Sequence, residues 1–117
     1  MDDSSAGTST PISIVEIARQ FISEVAGQSE RKKKPICSTP GLDAFLLYIR
    51  AQGRVPDHKV PGPITVETIV GDVSFAFDGQ IHRMPAGTMI CLPGGVPHDL
   101  HAQTESVVLV IRAALPK

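Results

Sequence analysis

Aromatic side chains and charge of one sign are both scarce in this sequence. It has four Phe, one Tyr and no Trp, and its formal net charge is −1. A surface that stacks single-stranded nucleic acid depends on exposed aromatic rings, and attraction to phosphates or anionic lipids depends on an excess of positive charge. We therefore expect no nucleic-acid partner.

Long hydrophobic runs are also lacking. The longest purely aliphatic run, residues 107–111, is far shorter than the roughly 20 residues that span a bilayer, so we expect no membrane partner. Cys37 and Cys91 have no metal-type spacing, and Asp2 and Asp3 stand where a secretory signal would carry lysines. These features favour a cytoplasmic protein with free thiols.

The length of 117 residues suits one domain. We expect a disordered tail over residues 1–10, a helix and loop over residues 11–34, and a β domain over residues 35–117. Ser13 and Glu16 have the spacing of a capping box, and Gly27 is a natural helix end. These signals predict a helix over residues 14–26, whose apolar positions recur at helical intervals: Ile14, Ile17, Ala18, Phe21, Ile22 and Val25.

The basic run from Arg31 to Lys34 follows the predicted helix and precedes Pro35. Cations near the end of a helix interact favourably with its dipole, and a short run of this kind is usually solvated. We interpret residues 27–34 as a solvated loop.

Short apolar runs separated by Gly, Pro and Asp follow from Pro35 onward, which is typical of an all-β domain. Asp78-Gly79 is the strongest hairpin signal, because this pair supplies the positive φ angles of a tight turn. The predicted strands are residues 36–38, 44–51, 64–70, 73–77, 88–92 and 106–112, with shorter pieces near 56–60, 80–84 and 97–102.

Several predicted strands are apolar on both faces, among them residues 44–48, 89–92 and 107–111. A strand with one face in water would alternate between apolar and polar residues. We therefore expect the sheet to close or stack on itself, with its outside covered by the helix or by a second subunit. A closed barrel in a homodimer meets both requirements.

The stretch from Gly87 to His98 reads GTMICLPGGVPH: Gly, five residues, Pro, any residue, Gly, two residues, His. Pro93-Gly94-Gly95 forces a sharp reversal, and the following Val-Pro pair stiffens the return of the chain. His98 is thereby held at one place, where its imidazole could act as a metal ligand or a proton carrier. The alternative is a core histidine that bonds a backbone group.

This stretch resembles the second signature motif of the cupin superfamily at every fixed position. The first motif corresponds to GRVPDHKVPGPITVETIVG, from Gly53 to Gly71. His58 occupies its first histidine position, whereas Val60 and Ile64 stand where the second histidine and the glutamate would be. Two of the four usual metal ligands are therefore replaced by aliphatic groups.

The resemblance covers residues 44–113 and looks closest to small RmlC-like cupins of the conserved-barrel type (cupin 2). It implies a mainly β fold, a jelly-roll barrel with one N-terminal helix, and homodimers with an internal pocket. It also implies a divalent metal, Zn, Ni, Mn or Fe, or no metal where ligands are lost. The superfamily includes many enzymes and binding proteins, so membership sets no activity.

Other candidate site residues are weaker. His101 lies on the opposite face of a regular strand from His98, so it joins a metal site with His58 and His98 only if the chain bends. His82 could line the cavity by parity, and Tyr48 could orient an anionic ligand, although a place at a rim or interface suits it as well. Glu67 points outward if the apolar face of its strand is the interior.

Two functions from different classes remain open. The first is a binding module whose pocket, edged by His58 and His98, holds a small molecule, a divalent metal or both. The second is a metal-assisted enzyme, such as an isomerase, decarboxylase or dioxygenase, in which His98 is a ligand or an acid–base group. A third, more remote hypothesis is an interaction domain whose helix docks a partner.

Overall fold

The computed structural model describes residues 10–113, without the side chains of residues 57 and 58. The expected tail, residues 1–10, lies outside this part except for its last residue. The described part contains one helix and nine strands: α1 Ile14–Val25, β1 Arg31–Thr39, β2 Leu42–Ile49, β3 Arg54–His58, β4 Ile64–Val70, β5 Asp72–Phe77, β6 Gln80–Pro85, β7 Met89–Leu92, β8 His98–Ala102 and β9 Ser106–Ala113.

The strands form two antiparallel sheets. One has the order β1-β2-β9-β4-β7 and the other the order β3-β8-β5-β6. Their inner faces meet in one apolar cluster, to which the larger sheet contributes Phe45, Val66 and Val110 and the smaller sheet Phe75 and Leu100. The prediction of a mainly β jelly-roll fold with one helix is confirmed.

The hairpin predicted at Asp78-Gly79 is present in the structure. The Asp78-Gly79 turn joins β5 to β6, with φ of +52° at Asp78 and +75° at Gly79. Phe77 and Gln80 pair directly on either side of it. This is the two-residue hairpin that the Asp-Gly pair predicts, because both turn residues have positive φ.

The helix lies on the outer face of the larger sheet. Its buried residues Ala18, Phe21 and Val25 form a second apolar cluster with Leu46 and Tyr48 of β2. Alternate β2 residues point to the inner cluster, so this strand is buried on both faces, as its sequence predicted. The helix therefore covers this part of the sheet. No helix in the described ranges combines the length and apolar character that crossing a membrane requires.

The ends of the helix differ slightly from the prediction. Ser13 is the N-cap residue, but its side chain makes no capping hydrogen bond, so the expected capping box with Glu16 is wrong. Gly27 follows the helix with a φ of +80°, a backbone conformation that costs glycine little. The helix ends at Val25, one residue before the predicted end.

The interpretation of residues 27–34 as a loop is wrong in its second half. β1 begins at Arg31 and pairs with β2 from Arg31 opposite Ile49 to Thr39 opposite Leu42. Its basic side chains pack on rings from both faces: the Lys33 ammonium lies 4.6 Å from the Phe45 ring centroid and the Lys34 ammonium 5.8 Å from that of Phe21. Pairing with β2 and these cation–π contacts outweigh the low strand propensity of lysine.

Candidate functional site

A cavity of about 320 Å³ lies between the two sheets. Its polar and charged lining consists of His98 in the interior and of Arg31, Lys32, Lys33 and Arg112. The other lining residues are aliphatic or aromatic: Phe45, Leu47, Val55, Val60, Ile64, Val66, Phe75, Leu100, Val108 and Val110. As far as the described side chains show, the chamber is therefore an apolar space with one imidazole and a basic side.

Of the candidate site residues whose side chains are described, His98 lies in the cavity. It begins β8, is 7% exposed, and stacks on Phe75 with ring centroids 5.1 Å apart and planes 18° from parallel. Its Nδ1 donates a hydrogen bond to the carbonyl of Val96 at 3.1 Å. Because a carbonyl can only accept, Nδ1 is the protonated, donating nitrogen in this contact.

The turn before His98 is held by close backbone contact. A Cβ atom on Gly94 would lie 1.8 Å from the carbonyl oxygen of Pro61, so this position has room only for glycine. The next residue, Gly95, has a φ of +82°, and its N–H donates to the Val60 carbonyl at 2.7 Å. The Pro-Gly-Gly corner thus docks on the segment between β3 and β4, which sets the point where His98 enters the barrel.

Val60 and Ile64 both line the cavity, at positions where the cupin resemblance would place metal ligands. Neither side chain can coordinate an ion. Among the residues whose side chains are described, no three His, Cys, Asp or Glu residues cluster as a metal site would require. The described residues do not fit a resident Zn, Ni, Mn or Fe ion.

His58 is adjacent to His98 in the backbone. The two residues are direct partners in the β3–β8 ladder, next to an irregularity between Val55 and His58. They therefore belong to one sheet, not to opposite walls of the barrel. The side chain of His58 lies outside the described part of the structure, so its role as a ligand stays a prediction.

The structure does not bring His101 or His82 to the cavity. His101 alternates with the cavity-lining His98 and Leu100 along β8, and its Nδ1 accepts a hydrogen bond from Gln103 Nε2 at 3.0 Å. His82 lies on β6 and stacks on the Phe77 ring at 5.1 Å. Neither is among the described residues that line the cavity, so neither can join His98 there.

Tyr48 is buried on the outer face of β2, beneath the helix, and does not reach the cavity. Its hydroxyl donates to Glu105 Oε2 at 2.6 Å, and its ring meets Phe21 edge to face at 6.4 Å. Burial raises the pKa of Tyr48 to about 12, and the hydrogen bond to Glu105 adds to the shift. Tyr48 therefore supports the packing of the helix, and the ligand role expected for it is not met by its position.

Tyr48 is the only tyrosine of the chain, so the phenolate absorbance of the protein reports on this residue alone. We expect the folded protein to ionise with a midpoint near pH 12, against about 10 in denaturant. Because the pKa is higher in the folded state, the contribution of Tyr48 to stability is complete below pH 10 and is lost as the pH rises towards 12. A spectrophotometric titration of native and unfolded protein tests this, and equal midpoints would contradict it.

Sequence reasoning missed the residues at the basic side of the cavity. The Lys33 ammonium and the Arg112 guanidinium lie 4.6 and 5.0 Å from the centroid of the same Phe45 ring. Arg112 Nε donates to Asp43 at 3.1 Å. Side chains alternate along a strand, so Arg112 shares the inner face of β9 with Val108 and Val110. This alternation could have identified Arg112 from the sequence. No comparable local signal exists for Lys33, because the strand predicted in this region covers only residues 36–38.

The comparisons with known proteins bear on the fold. No protein-family profile and no curated protein matches the sequence. A cupin superfamily protein from Desulfitobacterium hafniense has a similar structure, with a TM-score of 0.77 and 12% identity over 92% of this chain and 94% of that chain. A protein of unknown function from Streptococcus pyogenes follows with a TM-score of 0.74 and 18% identity, over 94% of this chain and 91% of that chain.

A larger enzyme contains a similar barrel. Salicylate 1,2-dioxygenase from Pseudoaminobacter salicylatoxidans, in an adduct with gentisate, has a TM-score of 0.68 and 18% identity over 81% of this chain and 29% of that chain. The protein therefore has the cupin fold, two stacked sheets around a central chamber. Proteins similar to it include RmlC-like cupins, and the resemblance seen in the sequence is confirmed at the level of the fold.

Proposed function

We propose that this protein is a binding module whose barrel cavity takes a compact, mainly apolar small molecule. The observation that supports this is the lining: ten aliphatic or aromatic residues surround about 320 Å³. An engineered apolar cavity of about 150 Å³ stays dry and binds benzene. The chamber between the sheets has roughly twice that volume, which suits a two-ring compound.

His98 supplies one oriented polar group in this chamber. Its Nδ1–H is committed to the Val96 carbonyl, and stacking on Phe75 holds the plane of the ring. Small-molecule sites are commonly apolar with a few placed polar groups that fix the orientation of the ligand. We assign His98 this orienting role.

The metal-assisted enzyme stays the alternative prediction, with His98 as ligand or acid–base group. Metal content after purification without added metal discriminates between the two. Stoichiometric Zn, Ni, Mn or Fe would favour the enzyme. The replacement of two ligand positions by Val60 and Ile64 supports the binding module instead. Homodimer assembly and a cytoplasmic location also stay predictions, which light scattering and cell fractionation would test.

Naphthamide, a neutral two-ring probe, tests the cavity directly. We expect it to bind with a Kd of about 0.1–1 mM, as apolar burial of some 13 non-hydrogen atoms allows. Methyl NMR signals of Val60, Ile64 and Val108 should shift on titration. Val66→Phe adds a ring to a buried wall of the cavity and should weaken binding at least about tenfold.

Ile81→Phe is the matched control, because Ile81 is 74% exposed and lies away from the cavity. This variant should bind naphthamide like the unmodified protein. If saturating naphthamide leaves the three methyl groups unshifted, or if both variants lose affinity equally, the cavity is not the binding site.

A further inference from the structure

The cavity has a strongly basic side that the proposed function does not yet explain. Among the described residues that line it, four carry positive charge and none is a carboxylate. The chain as a whole has a formal net charge of −1, so this concentration is local. Three of the four cations belong to the basic run Arg31–Lys34, which begins β1.

Lys33 and Arg112 mark where the apolar interior meets this basic side. Both cationic groups lie within 5.0 Å of the Phe45 ring centroid, and Phe45 is a buried residue of the cavity wall. Lys34, one residue further along β1, packs instead on Phe21, beneath the helix. Lys33 and Lys34 thus point to opposite faces of β1: Lys33 lines the cavity, and Lys34 packs against the helix.

Arg112 has a defined orientation. Its Nε and Nη2 atoms donate to the carboxylate of Asp43, the residue that pairs with it across the β2–β9 ladder. This pair uses two of the five guanidinium N–H groups and offsets the charge of Arg112. The cations of β1 therefore supply the net positive charge at this side of the cavity.

We propose that the ligand is an organic acid, with its apolar body between the sheets and its carboxylate at Lys33 and Arg112. This inference rests on the proposed function and specifies the class of ligand. A carboxylate deep among aliphatic side chains would lose its hydration without compensation, whereas at the basic side it gains charge-assisted hydrogen bonds. A cationic ligand would be repelled there, and a neutral one would leave the positive charge unused.

Naphthoate and naphthamide form a matched pair of probes, because they share the two-ring body and differ in charge. At low ionic strength we expect naphthoate to bind about tenfold more tightly than naphthamide, since a hydrogen-bonded charge pair typically contributes a factor of this size. Raising the salt concentration should reduce this preference, because the carboxylate lies at the partly exposed end of the site. Isothermal titration calorimetry measures both affinities.

Lys33→Gln tests the assignment of the carboxylate site. It should reduce the preference for naphthoate over naphthamide to about threefold or less, because one of the two cations at Phe45 is removed. Lys34→Gln is the matched control: it removes the same charge from the neighbouring position, on the opposite face of β1. It should retain the preference of the unmodified protein.

The outcomes separate this inference from the proposed function. If naphthamide binds and naphthoate binds no more tightly, the organic-acid inference is overturned and the binding module stands. If neither probe binds, the proposed function fails and the inference with it. If Lys33→Gln and Lys34→Gln reduce the preference equally, the carboxylate does not lie at Lys33.

Discussion

Phe75→Ala is expected to lower the free energy of unfolding by about 3–5 kcal/mol, the usual range for removing a fully buried ring. Phe75 is 0% exposed, belongs to the inner cluster and forms the face on which His98 stacks. At roughly 4–8 °C for each kcal/mol, the midpoint of thermal unfolding should fall by more than about 10 °C. Urea unfolding followed by circular dichroism gives the free energy.

Phe77→Ala is the matched control for this substitution. Phe77 lies two residues along the same strand, is only partly buried, and meets Phe75 edge to face at 6.1 Å. Removing the Phe77 ring should lower the free energy of unfolding by about half as much, since less apolar surface is lost from the core. If the two variants lose the same free energy of unfolding, Phe75 does not contribute more to the core than the partly buried Phe77.

Gly94→Ala is expected to cost about 3 kcal/mol, at the upper end of what overpacking usually costs. The added Cβ would meet the Pro61 carbonyl at 1.8 Å, and a backbone atom cannot move aside as a side chain can. The corner before His98 must therefore shift. We expect lower stability together with altered NMR signals of the His98 ring and the Val60 methyl groups.

Gly95→Ala separates this steric effect from backbone strain. Gly95 has a φ of +82°, but no atom lies within 4 Å of the position of its Cβ. The cost should be about 1 kcal/mol, that of holding alanine in a left-handed conformation. A larger loss at Gly95 than at Gly94 would contradict the close docking of the corner on Pro61.

The parts of the fold that were predictable have local causes. The Asp78-Gly79 hairpin follows from turn chemistry, and the helix follows from apolar spacing and Gly27. The first half of β1 was not predictable in this way, because nothing local in Arg31–Lys34 favours a strand, whereas its second half contains the predicted strand over residues 36–38. Its conformation comes from pairing with β2, which is a tertiary effect.

The candidate site was predictable only in part. The Pro-Gly-Gly corner correctly identified His98 as a lining residue, and the resemblance correctly identified Val60 and Ile64 as positions facing the same space. For Tyr48 the sequence leaves both a ligand role and a rim or interface position open, because a strand with two apolar faces does not reveal which face is the interior. Only the position of the helix decides this, and it places Tyr48 outside.

Within residues 10–113, the basic strand β1 is also the outermost strand of its sheet, with β2 as its neighbour there. An outermost strand presents backbone groups that a strand of another molecule could extend into a shared sheet. Four consecutive like charges make such an approach between two copies repulsive. The run that flanks the cavity would therefore also keep separate molecules from joining edge to edge, and high salt or acetylation of its lysines would weaken that protection.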